Sequence, residues 1–280
     1  MDYTCHNHCT ETPLMMGTGA AAPPEEITAE AAYEPSPDCV PTISEGTVDE
    51  RTQAISDKLV ELSDAGLSPG EVEREVADAA CLTVLISGAD ETGDELVTPM
   101  SNNDDINMPV PTIYYDTAAK YYYVSGTWKW KKIVDKPTLC VNPCNVGGKD
   151  GFGATVNGNI NVLSEVVQYR GNTYYGWVSS TAAEHAGSSG VFFKFQDKIR
   201  LRGGGLSDAL NTWEGKIVMA FRPKSGCENV VARTKFAHTW SSTGISGVSI
   251  GNSGISVSFS SSGSNWQRYS QPSRETRVCR

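Results

Sequence analysis

One stretch of the sequence, residues 239–266, limits the choice of fold more than any other, because its apolar and polar side chains alternate strictly. Two alternating runs flank a Gly/Asn turn at residues 251–254, and their apolar members are Val248, Ile250, Ile255, Val257 and Phe259. A period of two around such a turn is typical of a β-hairpin with one apolar and one hydroxyl face. The sequence therefore predicts a hairpin whose apolar face is turned toward a core.

The same alternation recurs in residues 191–202. The odd-numbered positions are mostly apolar, and the even-numbered positions carry Lys194, Lys198, Arg200 and Arg202. A single strand would bury the first set and present the second as a cationic row. Asp197 interrupts the apolar set, so a bulge or a tight turn at this point is the alternative.

About ten strand-like segments fill residues 110–280, and short turn signals separate them. This density of short strands predicts an antiparallel β-sandwich or barrel. Only residues 207–213 have a helical pattern in this half of the chain. The fold class that we expect is therefore mainly β.

The clearest helical signals precede the β half, in residues 42–86. Thr47 followed by Glu50 forms a capping box, and Ser68 followed by Pro69 marks a second helix start. Apolar residues at helical spacing follow both signals. They predict a small acidic α-helical hairpin in front of the β domain.

Charge divides the chain into two unlike parts. Residues 1–100 contain 21 acidic and 3 basic residues, whereas residues 101–280 contain 12 acidic and 20 basic residues. We predict a disordered acidic segment at 1–41, the helical hairpin at 42–86, a linker at 87–109 and one antiparallel β domain at 110–280. One hypothesis is that the acidic part acts as a pro-segment that covers a cationic β surface, because fields of opposite sign favour docking.

The eight cysteines are divided equally between these two parts. An even number without CxxC pairs favours disulfides over zinc sites, with free thiols of a cytosolic protein as the alternative. Cys227 and Cys279 are the pair that we expect to close the C-terminus. In residues 5–9 the sequence is CHNHC, whose four candidate ligands are too crowded for a tetrahedral site, so a local disulfide or a disordered tip is expected. We predict no metal and no cofactor.

Two segments near the C-terminus, GVFFKFQDKIRL and AHTWSSTGISGVSIGNSGISVSFSSS, resemble β-rich secreted proteins of Gram-positive bacteria that have no assigned role. The resemblance covers about a third of the chain. It implies a β fold and export, and it brings no catalytic motif. The first residues have neither the basic nor the apolar stretch of a signal peptide, so export would need another route or a leader that was removed or missed. Together with the cysteines, the resemblance favours an extracellular location.

The sequence offers little catalytic chemistry. It has no GxSxG motif, and the β half contains only His185 and His238 as candidate bases. The carboxylates of this half are scattered and form no pair of the kind that glycoside hydrolysis needs. We therefore expect a protein that is not an enzyme, and in which His238 is a packed or hydrogen-bonded strand residue.

Two non-catalytic functions remain. The first is a binding module, in which Trp128 and Trp130 stack on a ligand and the row of Lys194, Lys198, Arg200 and Arg202 meets an anionic cell-wall polymer, a glycan or a protein surface. The second is a membrane-active β-hairpin toxin or bacteriocin-like protein. Each arm of the hairpin in residues 239–266 has about 9–12 residues, the length that a tilted membrane strand needs. A membrane partner is expected only under the second function, and nucleic acid under neither.

Overall fold

The computed structural model describes residues 31–43, 46–89, 105–132, 143–173, 176–201 and 208–280. Within these ranges the chain forms two helices, α1 (Val48–Asp64) and α2 (Pro69–Ala80). The strands of the same ranges are β1 (Leu82–Ile86), β2 (Ile106–Asn107), β3 (Thr112–Asp116), β4 (Tyr121–Trp130), β5 (Cys144–Val156), β6 (Ile160–Arg170), β7 (Val178–Ser180), β8 (His185–Gly187), β9 (Gly190–Arg200), β10 (Ala209–Leu210), β11 (Glu214–Pro223), β12 (Cys227–Val230), β13 (Ala232–Thr239), β14 (Ile245–Gly251), β15 (Gly254–Phe259), β16 (Asn265–Tyr269) and β17 (Thr276–Cys279).

Most of these strands belong to two antiparallel sheets. In sheet A the order is β1-β3-β4-β11-β6-β7, and β2 pairs with β4. In sheet B the order is β10-β9-β5-β13-β16, and β8 pairs with β9. The two sheets enclose a common apolar core. The predicted mainly β class is confirmed in its sandwich form, with the helices N-terminal to all the described strands.

The core between the sheets is built around Trp128 of β4. Its ring centroid lies 4.4 Å from that of Phe152 and 5.3 Å from that of Phe195, both on sheet B. The neighbouring Gly215 leaves room for the indole, because a Cβ at that position would come within 2.0 Å of a ring carbon of Trp128. Glycine at the second position of β11 is therefore required by core packing rather than by a turn.

The two helices form a third layer on the outer face of sheet A. Apolar residues of both helices and of five strands form the cluster between them, among them Ile55, Leu59, Val76, Ala80, Leu82, Tyr114, Tyr123, Val166 and Val218. The predicted capping box starts α1, since the Thr47 hydroxyl accepts from the N–H of Glu50 and the Glu50 carboxylate accepts from the N–H of Thr47 at 2.8 Å. Sheet A is thus covered on both faces, so alternate residues of its central strands are buried on opposite sides.

The described residues near the predicted domain boundaries contact the sandwich. Tyr33 pairs with Val84 of β1 through backbone hydrogen bonds, and β1 itself pairs with β3. β2 pairs with the end of β4 and buries Ile106. Of the predicted disordered segment 1–41, the structure describes residues 31–41. Of the predicted linker 87–109, it describes residues 87–89 and 105–109. The predicted division of the chain into these segments stays a prediction, although residues before 110 pair with strands of sheet A.

The hairpin of β14 and β15 is a small separate sheet that packs on the outer face of sheet B. Its apolar face lies on Phe192 and Ala237, with Ile255 and Val257 buried and Val248, Ile250 and Phe259 partly buried. Gly153 of β5 makes this approach possible, because a Cβ there would come within 2.7 Å of the Ile255 side chain. The predicted hairpin with an inward apolar face is confirmed, but it covers sheet B from outside and does not line the central core.

The structure decides between a strand and a turn at Asp197, and between a helix and a strand in residues 208–213. β9 continues unbroken through Asp197, so the single strand is the correct alternative to a turn. The helix that the pattern of residues 207–213 indicates is wrong for the described residues 208–213, where β10 pairs with β9. The side chain of Asn172 bonds to backbone groups of Asp208 and Leu210, which holds this segment extended.

Disulfide bonds join segments that are distant in sequence. Cys227 and Cys279 link β12 to β17, as predicted, and Cys39 and Cys81 link the N-terminal segment to the end of α2. Cys144 is also disulfide-bonded. These bonds fit an oxidising, extracellular-type environment. The CHNHC segment of residues 5–9 lies outside the described residues.

In the described part of the chain, neither helix combines the length and the apolarity that a membrane span requires.

A buried lysine fastens the hairpin to sheet B. Lys235 exposes only 3% of its surface. Its ammonium donates to Ile255 O at 2.7 Å and to the Tyr269 hydroxyl at 3.2 Å. The ammonium also lies 4.3 Å from the centroid of the Tyr269 ring, a cation–π distance. Burial lowers the pKa of Lys235 to about 8 from its ordinary value of 10.5.

We expect Lys235 to make the protein more stable as pH rises from about 8 to 10. In this range the unfolded chain keeps a proton that the folded chain gives up, so the free energy of unfolding increases with pH. Denaturant unfolding of the wild type and of Lys235→Met at several pH values should show a smaller increase in the variant. Lys198→Met, at an exposed lysine, is the matched control and should keep the wild-type increase. An equal increase in Lys235→Met would contradict the assignment.

Candidate functional site

Three of the predicted site residues lie on the outer face of β9. Lys198 and Arg200 are exposed, and neither makes an ion pair among the described residues. The Lys194 side chain is mostly covered and lies 3.2 Å from a Glu184 carboxylate oxygen. Arg202 lies outside the described residues. The alternation of β9 therefore places these cations on one face, as the sequence predicts.

A fourth cation from the neighbouring strand extends the row. Lys149 of β5 pairs in register with Gln196 of β9, which puts it on the same face, and its ammonium lies 2.9 Å from Glu184. We refer to Lys149, Lys194, Lys198 and Arg200 as the cationic strip. Partial burial works to raise the pKa of Glu184, but its hydrogen bonds with Lys149 and Lys194 outweigh burial, and the pKa lies below its ordinary value. One ionised carboxylate thus pairs with two of the four cations, Lys149 and Lys194.

Side-chain hydrogen bonds hold the backbone of the strip in place. The Gln196 amide donates to the carbonyl oxygens of Gly147 and Gly148, which lie in the bulge of β5. The Asn211 side-chain oxygen accepts from the N–H of Lys198, and the Asn211 amide donates to Gln196 O. A cationic surface on strands fixed in this way is organised before any ligand binds.

The other two predicted site residues lie elsewhere. Trp128 and Trp130 share a face of β4, as their spacing predicts, but that face is the one turned toward sheet B. They expose 1% and 2% of their surface. Side chains with so little surface cannot stack on a ligand, so the structure corrects this assignment and gives both a role in the core.

The predicted acidic cover is not opposite the strip. The helices pack on sheet A, whereas the strip is on the outer face of sheet B, so the whole sandwich lies between them. The acidic helices cannot shield these cations in this arrangement. Residues 1–30, 44–45 and 90–104 lie outside the described residues, and the hypothesis of an acidic pro-segment stays a prediction.

A second polar group, formed by Asp150, Asp197 and His238, lies inside the sandwich. Asp150 is on β5, Asp197 on β9 and His238 on β13, which are neighbours in sheet B. All three expose 1% of their surface or less, and one potential ligand atom from each lies within 4.8 Å of the others. The rings of Trp130 and Trp266 pack against the imidazole, with centroids 5.1 and 5.4 Å away.

Asp150 is the best anchored member of this group. Its Oδ2 is hydrogen-bonded to His238 Nδ1 at 2.7 Å, and its Oδ1 accepts from the N–H of Thr239 at 2.8 Å. Burial raises the pKa of Asp150, against the stabilising effect of His238 and Thr239 on the ionised form. The expectation of a hydrogen-bonded strand histidine at His238 is confirmed.

The buried group can orient a proton or bind a cation, but it cannot reach a substrate. An imidazole held by a carboxylate is the base of many hydrolases, and those bases line an open cleft. Here the side chains are closed off by the sandwich core. Sequence reasoning missed this group as a unit, although one signal was present: each of the three residues occupies an inward position of its strand, where an apolar side chain is expected.

In this conformation the hairpin of β14 and β15 exposes little apolar surface that could contact a membrane. Its strands have 7 and 6 residues, fewer than the arms expected from sequence. The apolar face is covered by sheet B, and serines 249, 256 and 258 face solvent.

No model of a known protein family matches the chain, and no curated protein matches it.

Proposed function

We propose that this protein is a secreted, non-catalytic binding protein that holds an anionic polymer along the cationic strip. The strip itself carries the proposal, because four cations lie along one outer face of sheet B. Glu184 neutralises part of the charge of Lys149 and Lys194, whereas Lys198 and Arg200 are exposed. The disulfides support an oxidising location outside the cell. The resemblance of the C-terminal segments to secreted Gram-positive proteins points to the same location.

The spacing of the strip favours a polymer over a compact anion. Residues two positions apart on a strand are about 6.8 Å apart, so Lys198 and Arg200 present their charges in a line and do not converge on one point. A chain with repeated phosphate groups can contact several of them at once. Each exposed ion pair is worth only about 0–1 kcal/mol, so binding depends on the sum of such contacts. An anionic cell-wall polymer such as a poly(glycerol phosphate) has this chemistry.

The double variant Lys198→Glu/Arg200→Glu tests the proposal. We expect the wild type to bind poly(glycerol phosphate) in 20 mM salt, with binding that weakens as salt screens the charges. The variant should bind at least about tenfold more weakly, because two attractive contacts become repulsive. Calorimetry or biolayer interferometry with the immobilised polymer would measure both.

A matched control separates a local effect from one of net charge. Lys120→Glu/Lys224→Glu makes the same change of charge at two exposed lysines away from the outer face of sheet B, and it should leave binding near the wild-type value. Equal losses in both variants would show that only overall charge matters. Absence of binding by the wild type at low salt would exclude the polymer as a ligand.

A further inference from the structure

The buried group of Asp150, Asp197 and His238 has the composition of a metal site. Carboxylate oxygen and imidazole nitrogen are both ligands of zinc and of other first-row divalent ions. With neutral histidine and ionised carboxylates, the three side chains bring two negative charges to a 2+ ion. A buried ion then adds no net charge to the interior, which is the condition under which charges are tolerated there.

The distances in the group suit an ion with little rearrangement. Bonds of about 2.0–2.2 Å at tetrahedral angles place ligand atoms about 3.5 Å apart. The potential ligand atoms of Asp150, Asp197 and His238 lie within 4.8 Å of one another. Side-chain rotations that move these atoms by about 1 Å, and that part Asp150 Oδ2 from His238 Nδ1, would bring them onto one centre. The three strands that carry them are adjacent in sheet B.

The surroundings also fit a buried ion held by three protein ligands. Asp150 is held by the N–H of Thr239, and a ligand carboxylate with its own hydrogen bond is the usual arrangement around bound metals. The end of the sandwich is closed where the bulge of β5 meets the loop after β13. There a Cβ on Gly147 would come within 2.5 Å of Trp240 Cα, and a Cβ on Gly148 within 2.4 Å of Thr243 O. This close contact, with Trp130 and Trp266, keeps bulk water from the three side chains.

We propose that Asp150, Asp197 and His238 bind one divalent transition-metal ion, zinc foremost, that ties β9, β5 and β13 together. The site is independent of the function proposed for the cationic strip. The sequence alone led us to expect no metal. In the sequence the three residues are up to 88 positions apart. An ion here stabilises the folded state only, because the unfolded chain has no assembled site.

The first test uses the full chain, freed of metal with EDTA and then titrated with zinc chloride. We expect one zinc per chain by inductively coupled plasma mass spectrometry. The melting temperature should rise by about 5–10 °C at a free zinc concentration a hundredfold above Kd. A melting temperature that zinc leaves unchanged, with less than stoichiometric metal, overturns the proposal.

Two variants locate the ion. Asp197→Asn keeps the shape of the side chain but removes a charged ligand, and zinc affinity should fall at least about a hundredfold. The control is the full chain with Cys5→Ser, His6→Ala, His8→Ala and Cys9→Ser, which removes the four candidate ligands of residues 5–9 and should bind zinc as the wild type does. Loss of zinc from this control together with retention in Asp197→Asn would place the ion at the N-terminus and overturn the proposal.

X-ray absorption of the zinc-loaded wild type answers the same question if Asp197→Asn does not fold. The site requires a first shell of oxygen and nitrogen at about 2.0–2.2 Å, with scattering from one imidazole. A sulfur shell at about 2.3 Å would identify cysteine ligands and contradict the site.

Discussion

A chain that begins at residue 110 is expected not to fold cooperatively. It lacks both helices and β1, so the outer face of sheet A loses its cover. Five buried side chains on that face would become exposed: Tyr114, Tyr123, Val166, Val218 and Ala220. Burial of one large apolar side chain is worth about 1.5–3 kcal/mol, and whole domains are stable by only about 5–15 kcal/mol. The loss is therefore comparable to the entire stability, and the bared surface favours aggregation.

Circular dichroism and denaturant unfolding of residues 110–280 would show whether this shorter chain folds cooperatively. A chain that begins at residue 31 is the matched control, because it keeps every described contact of the helices, and it should unfold in a single transition. A cooperative transition with a β-type spectrum for residues 110–280 would instead support the boundary predicted from charge and composition. Failure of residues 110–280 to fold would show that the helices are a third layer of one fold. Cooperative folding would show that they belong to an attached acidic segment.

Loss of the charge on Asp116 is expected to destabilise the protein by about 3–5 kcal/mol. Asp116 ends β3, and its Oδ2 accepts from Arg51 Nε of α1 at 2.6 Å, with both side chains almost completely buried. Arg51 also donates to Ala80 O at the end of α2. The pair thus joins the helix layer to sheet A. Asp116→Asn places a neutral amide against the guanidinium, which leaves that charge poorly compensated away from water.

A double-variant cycle tests this cause. Asn at position 116 can still accept from the N–H groups of Ala118 and Ala119, so the turn between β3 and β4 is preserved. Arg51→Met removes the buried cation, and in the double variant Arg51→Met/Asp116→Asn we expect much of the lost stability to return. Additive losses in the double variant would show that the two side chains act separately and that the ion pair is not the source.

The sequence by itself determined the features that depend on near neighbours along the chain. The alternation in β9 placed Lys194, Lys198 and Arg200 on one face, since successive side chains of any strand point to opposite sides. The capping box at Thr47 and the hairpin of β14 and β15 follow from interactions within a few residues. The Cys227–Cys279 pair was expected in order to close the C-terminus, but four cysteines in that half allow three connectivities, and only the structure chose between them.

Only the tertiary structure decided which of two faces is buried and which distant residues meet. The spacing of Trp128 and Trp130 shows that they share a face, but not that this face meets sheet B. In a sheet covered on both sides, apolar residues occur at both parities, so alternation no longer marks the solvent side. Asp150, Asp197 and His238 come together because the order of sheet B is β9-β5-β13, and strand order is set by contacts between distant segments that no local pattern encodes.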